Sequence, residues 1–377
     1  MQKVSSKDIV KKKKIDFYKY ILPKVKTVLD KGNNSILDKT ANVLLVNSDN
    51  GIKFGPVFGN FKPENSYAKS YKEIVENLAL SINPYQLTLE KPNYKTKELQ
   101  DISLSKKDVD LDVCFEKKIK YDFNPDSILQ PIGFKAKIKD INLVGNVSVP
   151  WQVDHVLEDK LKATESISVL NDYGFDNYYL TKILSAGNLG LNKRFVSTRQ
   201  SITAIDDILA KQLLKKIRDY ETIDGFYVFE NEFLHNRFVI VLLKGNFEYE
   251  QFELWPNGSP WYNLGYNREY EGFYGRTKYA ESQAGGYYAA RLGVVEYLEK
   301  IKKQARVLVI REIYDDYSIP VGVWQVRENV RNAFKKTVKI FNSKQEVINY
   351  IPKRLLYDTH KYLNESVIFK QNRLSDF

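Results

Sequence analysis

Six apolar residues in a row, Phe238-Val239-Ile240-Val241-Leu242-Leu243, are the strongest constraint on what this chain can fold into. They are rich in β-branched and aromatic types and read as a strand. A second stretch, from Phe247 to Leu254, follows after Gly245-Asn246, a dipeptide suited to a hairpin turn. A third run, Val307-Leu308-Val309-Ile310, reads as a buried strand. Helical patterns surround these runs at about 282–300 and 324–336. Another helix is expected to begin near Thr203, whose hydroxyl would cap it, with Asp206 three residues on. Its apolar face is Ile205, Ile208, Leu209, Leu213 and Ile217. An antiparallel hairpin with packed helices predicts an α+β (mixed α/β) fold rather than a doubly wound sheet.

Elsewhere the patterning is weaker. Residues 1–35 read as a basic arm with a short helix from about Asp16 to Val25, cut by Pro23. Val43-Leu44-Leu45-Val46, followed by Gly51, Gly55, Pro56 and Gly59, suggests a strand leading into a glycine-rich loop. Residues 61–125 are polar and weakly periodic. Alternation in Gly133-Phe134-Lys135-Ala136-Lys137-Ile138 implies a strand, and 151–185 look helical, with Gly174 as a stop. The expected organisation is a basic arm (1–35), an N-terminal region (36–130), an α/β core (131–340), a basic helical region (341–370) and a tail (371–377).

The 377 residues suffice for two or three domains, and 43% apolar content permits a substantial core. The single cysteine, Cys114, excludes an internal disulfide and a cysteine-based zinc site. No window holds the roughly eighteen apolar residues of a membrane span, and the start of the chain lacks a signal-peptide core. A cytoplasmic protein without membrane contact is expected. Net charge is +11, with +6 in residues 1–30, +6 in residues 331–377 and −1 between them. Basic ends, including Lys11-Lys12-Lys13-Lys14, around a neutral body suit contact with a polyanion such as DNA. Solvated termini have the same composition.

Three clusters carry the candidate chemistry. In the first, Arg194, Ser197, Thr198, Arg199 and Ser201 stand just before a helix start and suit phosphate binding, or capping with Arg pairing to Asp206 and Asp207. In the second, Arg276 precedes Gly285-Gly286-Tyr287 and Arg291. Paired glycines admit a ligand backbone or a packed helix, and tyrosines stack on bases or line a core. The third joins Glu253, Arg311-Glu312, Arg327, Glu328 and Arg331. Asp206, Asp207, Glu253, Glu312 and Glu328 are candidate catalytic carboxylates, with Mg²⁺ the cofactor expected if the body is an enzyme. Buried Arg–carboxylate pairing accounts for them equally well. His155, His235 and His360 are isolated, without a Cys or clustered acid at ligand spacing.

The last seven residues, Gln371-Asn372-Arg373-Leu374-Ser375-Asp376-Phe377, have the form Gln-x-x-apolar-x-x-aromatic. In a 3₁₀ turn Gln371, Leu374 and Phe377 would share one side and present an apolar plug beside an amide. This resembles the tail by which replication and repair proteins dock on the sliding clamp, proliferating cell nuclear antigen (PCNA). The second aromatic of the usual motif is missing.

The chain also resembles the Nre family of archaeal DNA-repair proteins. The resemblance rests on Leu184-Ser185-Ala186-Gly187-Asn188-Leu189-Gly190, on Thr198-Arg199-Gln200-Ser201-Ile202-Thr203-Ala204-Ile205-Asp206-Asp207, on Asn236-Arg237-Phe238 and on Phe252-Glu253-Leu254-Trp255. It is strongest in Gly285-Gly286-Tyr287-Tyr288-Ala289-Ala290-Arg291-Leu292 and Gly322-Val323-Trp324-Gln325-Val326-Arg327-Glu328, and covers about 131–340. It implies a role in DNA repair, with PCNA and DNA as partners and Gln371, Leu374 and Phe377 as the docking residues. Two departures stand out: the family's Cys-rich start is reduced to Cys114, and Ser197 and Gln200 stand where the family tends to have Pro and Trp. A clamp-recruited repair factor, a DNA-modifying enzyme or nuclease, and a non-enzymatic clamp adaptor are the three readings.

Overall fold

The computed structural model describes residues 6–30, 34–59, 61–88, 96–256 and 265–370. It divides into two compact units, one of residues 19–209 and the other of residues 210–377 with 1–18.

The chain opens with helix α1 (Ser6–Asp30), which runs on through Pro23. Proline removes one backbone donor, and here the helix tolerates that loss. The short helix read from the sequence is therefore an interior segment of a longer one.

Residues 35–56 form β1 (Ser35–Thr40), β2 (Val43–Ser48) and β3 (Gly51–Pro56), followed by α2 (Tyr71–Leu80), β4 (Ile82–Thr88), α3 (Lys97–Leu104), β5 (Val109–Phe115), β6 (Lys120–Tyr121) and β7 (Phe134–Leu143). The supposed glycine-rich loop after β2 is thus a hairpin, with Gly51 at φ 117° in its turn. The weakly patterned 61–125 region carries a capping box: Ser70 accepts from the Glu73 N–H, and Glu73 Oε2 accepts from the Ser70 N–H at 2.8 Å. The strand order is β1-β5-β7-β4-β3-β2, with β6 paired to β7 and only β4–β7 parallel. Helices α4 (Trp151–Glu158), α5 (Ala163–Asp172), α6 (Asn177–Ser185) and α7 (Thr198–Ile217) follow.

The start of α7 lies five residues before the expected one. Ser197 is the cap, accepting from the Gln200 N–H at 3.3 Å, while Thr203 Oγ1 donates back to the Arg199 carbonyl inside the helix. Either hydroxyl satisfies the sequence rule, and the backbone of 196–198 decides between them.

The second unit contains β8 (Phe226–Phe233), β9 (Asn236–Leu243), β10 (Glu248–Trp255), β11 (Gly265–Glu271), α8 (Gly285–Ile301), β12 (Arg306–Ile313), α9 (Trp324–Ala333), β13 (Lys339–Phe341), α10 (Lys344–Tyr350), α11 (His360–Leu363) and α12 (Val367–Lys370). The α+β class expected from the sequence is what the two mixed sheets and their helices form. One hairpin is corrected, however. In the order β11-β10-β12-β9-β8-β13, strand β12 lies between β9 and β10, antiparallel to the first and parallel to the second. Gly245-Asn246 therefore turns the chain past a gap that a strand some sixty residues later fills. The true hairpin is β8–β9, closed by Leu234 and His235 at φ 50° and 57°. Both have the left-handed backbone of a type I′ turn, without the usual glycine.

Alternation along β10 and β12 sorts their side chains to two faces. Phe252, Leu254, Leu308 and Ile310 pack with Val347, Ile351, Tyr362 and Ile368 from the C-terminal helices. Gly293 of α8 brings α9 close, since a β-carbon there would stand 2.8 Å from Val330 Cγ1.

Candidate functional site

The opposite set of β10 residues, Tyr249, Gln251 and Glu253, lies in register with Val307, Val309 and Arg311 of β12 and with Glu271, Glu269 and Asn267 of β11. This stripe is a polar interior. Arg311 NH1 donates to Glu253 Oε1 at 2.6 Å, and its Nε and NH2 donate to Asn236 Oδ1 at 3.0 and 2.8 Å. Burial pushes the Glu253 carboxyl above its usual range, and Arg311 opposes that rise. Gly286, in the first turn of α8, leaves room for this carboxylate: a β-carbon there would stand 3.0 Å from Glu253 Oε1. The space that Gly286 opens at the helix start thus holds Glu253, and the positive end of the helix favours its charge.

The remaining arginines of this group also meet carboxylates. Arg291 is 1% exposed and bonds Glu271 at 2.7 Å. Arg276 bonds Glu269 at 2.9 Å and lies 4.8 Å from the centre of the buried Tyr287 ring. Gly285 is buried beneath the same turn. Arg331 grips both oxygens of Glu296 at 2.8 and 2.6 Å and bonds Glu328 at 2.7 Å, which ties α9 to α8. Arg327 is buried on the inner face of α9.

Two acids on the other face hold the end of the chain. Glu312 Oε1 accepts from the Leu356 and Tyr357 N–H groups at 2.8 and 2.6 Å. Burial raises its carboxyl, and these backbone donors oppose the rise. Glu250 accepts from Ser366 Oγ at 2.6 Å and from the Val367 and Ile368 N–H groups at 3.0 and 3.2 Å, while Arg306 NH2 donates to the Ile368 carbonyl. Helix α12 is therefore clamped by an acid at its start and an arginine on its backbone.

Of the sequence candidates in the first unit, Arg194 is exposed, beside Lys193 at φ 42°. Arg199 is exposed and paired with Asp126 at 2.5 Å. The hydroxyls serve the fold: Thr198 Oγ1 accepts from the Leu45 N–H at 2.9 Å and bonds Ser185, and Ser201 is buried against the Val196 carbonyl. Asp206 is fully buried along α7, and Asp207, next to it, is half-buried. Among the described residues no group of three or more His, Cys, Asp or Glu is placed to hold a metal ion. Residues 371–377, with Gln371, Leu374 and Phe377, lie outside the described residues.

Sequence reasoning missed Glu230. This acid of β8 accepts from Lys339 Nζ at 2.8 Å, Arg237 NH2 at 2.9 Å, Arg354 Nε at 2.8 Å and the Tyr350 hydroxyl. Burial alone would raise its carboxyl, but these four donors hold it down at about 2. Arg237 lies just across the β8–β9 turn, but the other three come from segments more than a hundred residues away, so no local spacing signals the whole cluster. It forms part of the wall of an open cleft of about 580 Å³.

Interlocked Arg–carboxylate pairs on both faces of one sheet define an α+β scaffold, with its C-terminal helices bonded to it. The chain belongs to the archaeal Nre family: the model of the archaeal Nre N-terminal region matches residues 59–262, and that of the C-terminal region matches 271–377. It is 35% identical over 279 residues to the DNA repair protein NreB of Archaeoglobus fulgidus, a match covering 73% of this chain and 71% of that one. It is 38% identical over 246 residues to the DNA repair protein NreA of Haloferax volcanii, covering 63% and 59%. A match of 37% over 264 residues to the DNA repair protein NreA of Archaeoglobus fulgidus covers 68% and 66%. No solved structure matches the chain.

Proposed function

We propose that this protein acts in DNA repair and is recruited to the PCNA sliding clamp through Gln371, Leu374 and Phe377. The observation that carries the reading is the anchoring of α12. Glu250 and Arg306 hold the chain as far as Ile368, so the docking segment begins three residues beyond a fixed point. A short recognition segment on a fixed stem loses less freedom on binding than one on a long tether. The relatives, named as DNA repair proteins, supply the process.

DNA contact is assigned to the basic ends and to the exposed Arg194 and Arg199. The interior pairs Arg311–Glu253, Arg291–Glu271 and Arg276–Glu269 take a positioning role, fixing the sheet that carries the stem. Calorimetric titration of the full chain against PCNA tests the docking. Removing 371–377 abolishes binding and leaves the circular dichroism spectrum and melting temperature unchanged. Undiminished binding by the shortened chain contradicts the proposal.

A further inference from the structure

The cleft beside Glu230 gathers four cations of the basic 331–377 end together with Arg237 of β9, and so narrows where that end would meet a polyanion. Its walls are β8, the start of β9, the turn after α9, β13 and Arg354. Five cations line it, Arg237, Lys335, Lys336, Lys339 and Arg354, against the two carboxylates Glu230 and Glu232. Glu230 bonds three of the five and Glu232 also meets Arg237 at 3.4 Å, so two carboxylates face five cations. Glu230 acts as a post that holds two guanidinium groups and an ammonium at fixed positions, and the cleft keeps an excess of positive charge. Lys335 and Lys336 are exposed at the C-terminal end of α9, where the helix dipole favours cations.

Ligand pockets of this volume are mostly apolar. Here Val228 is the single wholly apolar side chain on the wall, and the lining residues include no aromatic ring to stack on a base. Such a surface suits an extended row of phosphates and reads no bases. We infer that the cleft binds the phosphodiester backbone of duplex DNA through Arg237, Lys335, Lys336, Lys339 and Arg354, positioned by Glu230. The choice of DNA over other polyanions rests on the DNA-repair reading, while the site itself rests on the geometry.

The test is fluorescence anisotropy with a labelled duplex of about 30 base pairs, and its single strand, between about 50 and 300 mM salt. The full chain is compared with the Lys335→Ala/Lys336→Ala variant, whose lost side chains are exposed and whose fold is checked by melting temperature. Each lost phosphate contact lowers the slope of log affinity against log salt by about one, so the double variant is expected to be shallower by about two. That makes its affinity about a hundredfold less sensitive to a tenfold change in salt. An unchanged slope in a folded variant overturns the inference. So does a loss confined to the single strand, or a variant that keeps DNA binding and loses PCNA binding. Removing 371–377 leaves the duplex slope unaltered, so failure of clamp docking and failure of this site are read separately.

Discussion

Arg311 and Glu253 stand side by side on parallel strands β12 and β10, joined at 2.6 Å with the Glu253 carboxylate against the first turn of α8. Both side chains are at least nine-tenths buried, so each charge depends on the other. Arg311→Met leaves Glu253 without its cation and is expected to reduce stability by about 3–5 kcal/mol. The Glu253→Gln/Arg311→Met double variant, with no buried charge left unpaired, should lose much less than the two single variants summed. Urea denaturation at neutral pH measures all of them. A loss under about 1 kcal/mol for Arg311→Met would show that the pair does not carry this load.

Gly286→Ala follows from the same contact. Alanine ordinarily favours a helix over glycine by about 1 kcal/mol. Here its β-carbon would press on Glu253 Oε1 at 3.0 Å, and that carboxylate cannot retreat because Arg311 holds it. The substitution is expected to destabilise by about 1–3 kcal/mol. In a Glu253→Ala background, where the space is vacated, the further loss from Gly286→Ala should be much smaller than in the full chain. Thermal melts of the three variants decide the matter.

These two positions also mark what was legible in the sequence. The apolar runs on β9 and β12, the α8 and α9 helices and the mixed class follow from periodicity alone. So does the nearness of Arg and carboxylate types in the second unit, since Arg311-Glu312 and Glu253 fall in strand segments where a lone charge is untenable. Strand order did not follow: Gly245-Asn246 has hairpin chemistry, yet β12 takes the place beside β9. Local turn preference is worth less than the burial of two fully apolar strands against each other. Nor did the partners follow. Glu230 meets Lys339 and Arg354 across more than a hundred residues of chain, and Asn236 meets Arg311 across 75.

Acid should act on Glu230 in one direction. Its carboxyl sits at about 2 in the folded chain, below the ordinary 4.5, so the folded state binds fewer protons there than the unfolded state. Its contribution to stability is present above about 4.5 and is lost as pH falls toward 2. Melting temperature followed from pH 7 to 3 should drop more steeply for the full chain than for Glu230→Gln. Parallel curves would argue that the four donors do not stabilise the charged form.

Glu250→Ala removes the acceptor of three hydrogen bonds at the start of α12. About 1–3 kcal/mol of local stability should go with it. The expected result is faster hydrogen exchange in residues 364–370 with β9 and β12 still protected. Because α12 leads into the segment proposed to dock, PCNA affinity should weaken modestly even though none of Gln371, Leu374 and Phe377 is altered. Exchange rates equal to those of the unaltered chain would remove Glu250 from the stem.

The central claim is that Gln371, Leu374 and Phe377 dock this protein on the sliding clamp. The most direct measurement is calorimetric titration of PCNA with the full chain and with Leu374→Ala/Phe377→Ala. The account predicts binding by the full chain and at least about a tenfold loss in the double variant, equal to 1.4 kcal/mol or more. Equal affinities for the two, with both chains folded, would contradict it.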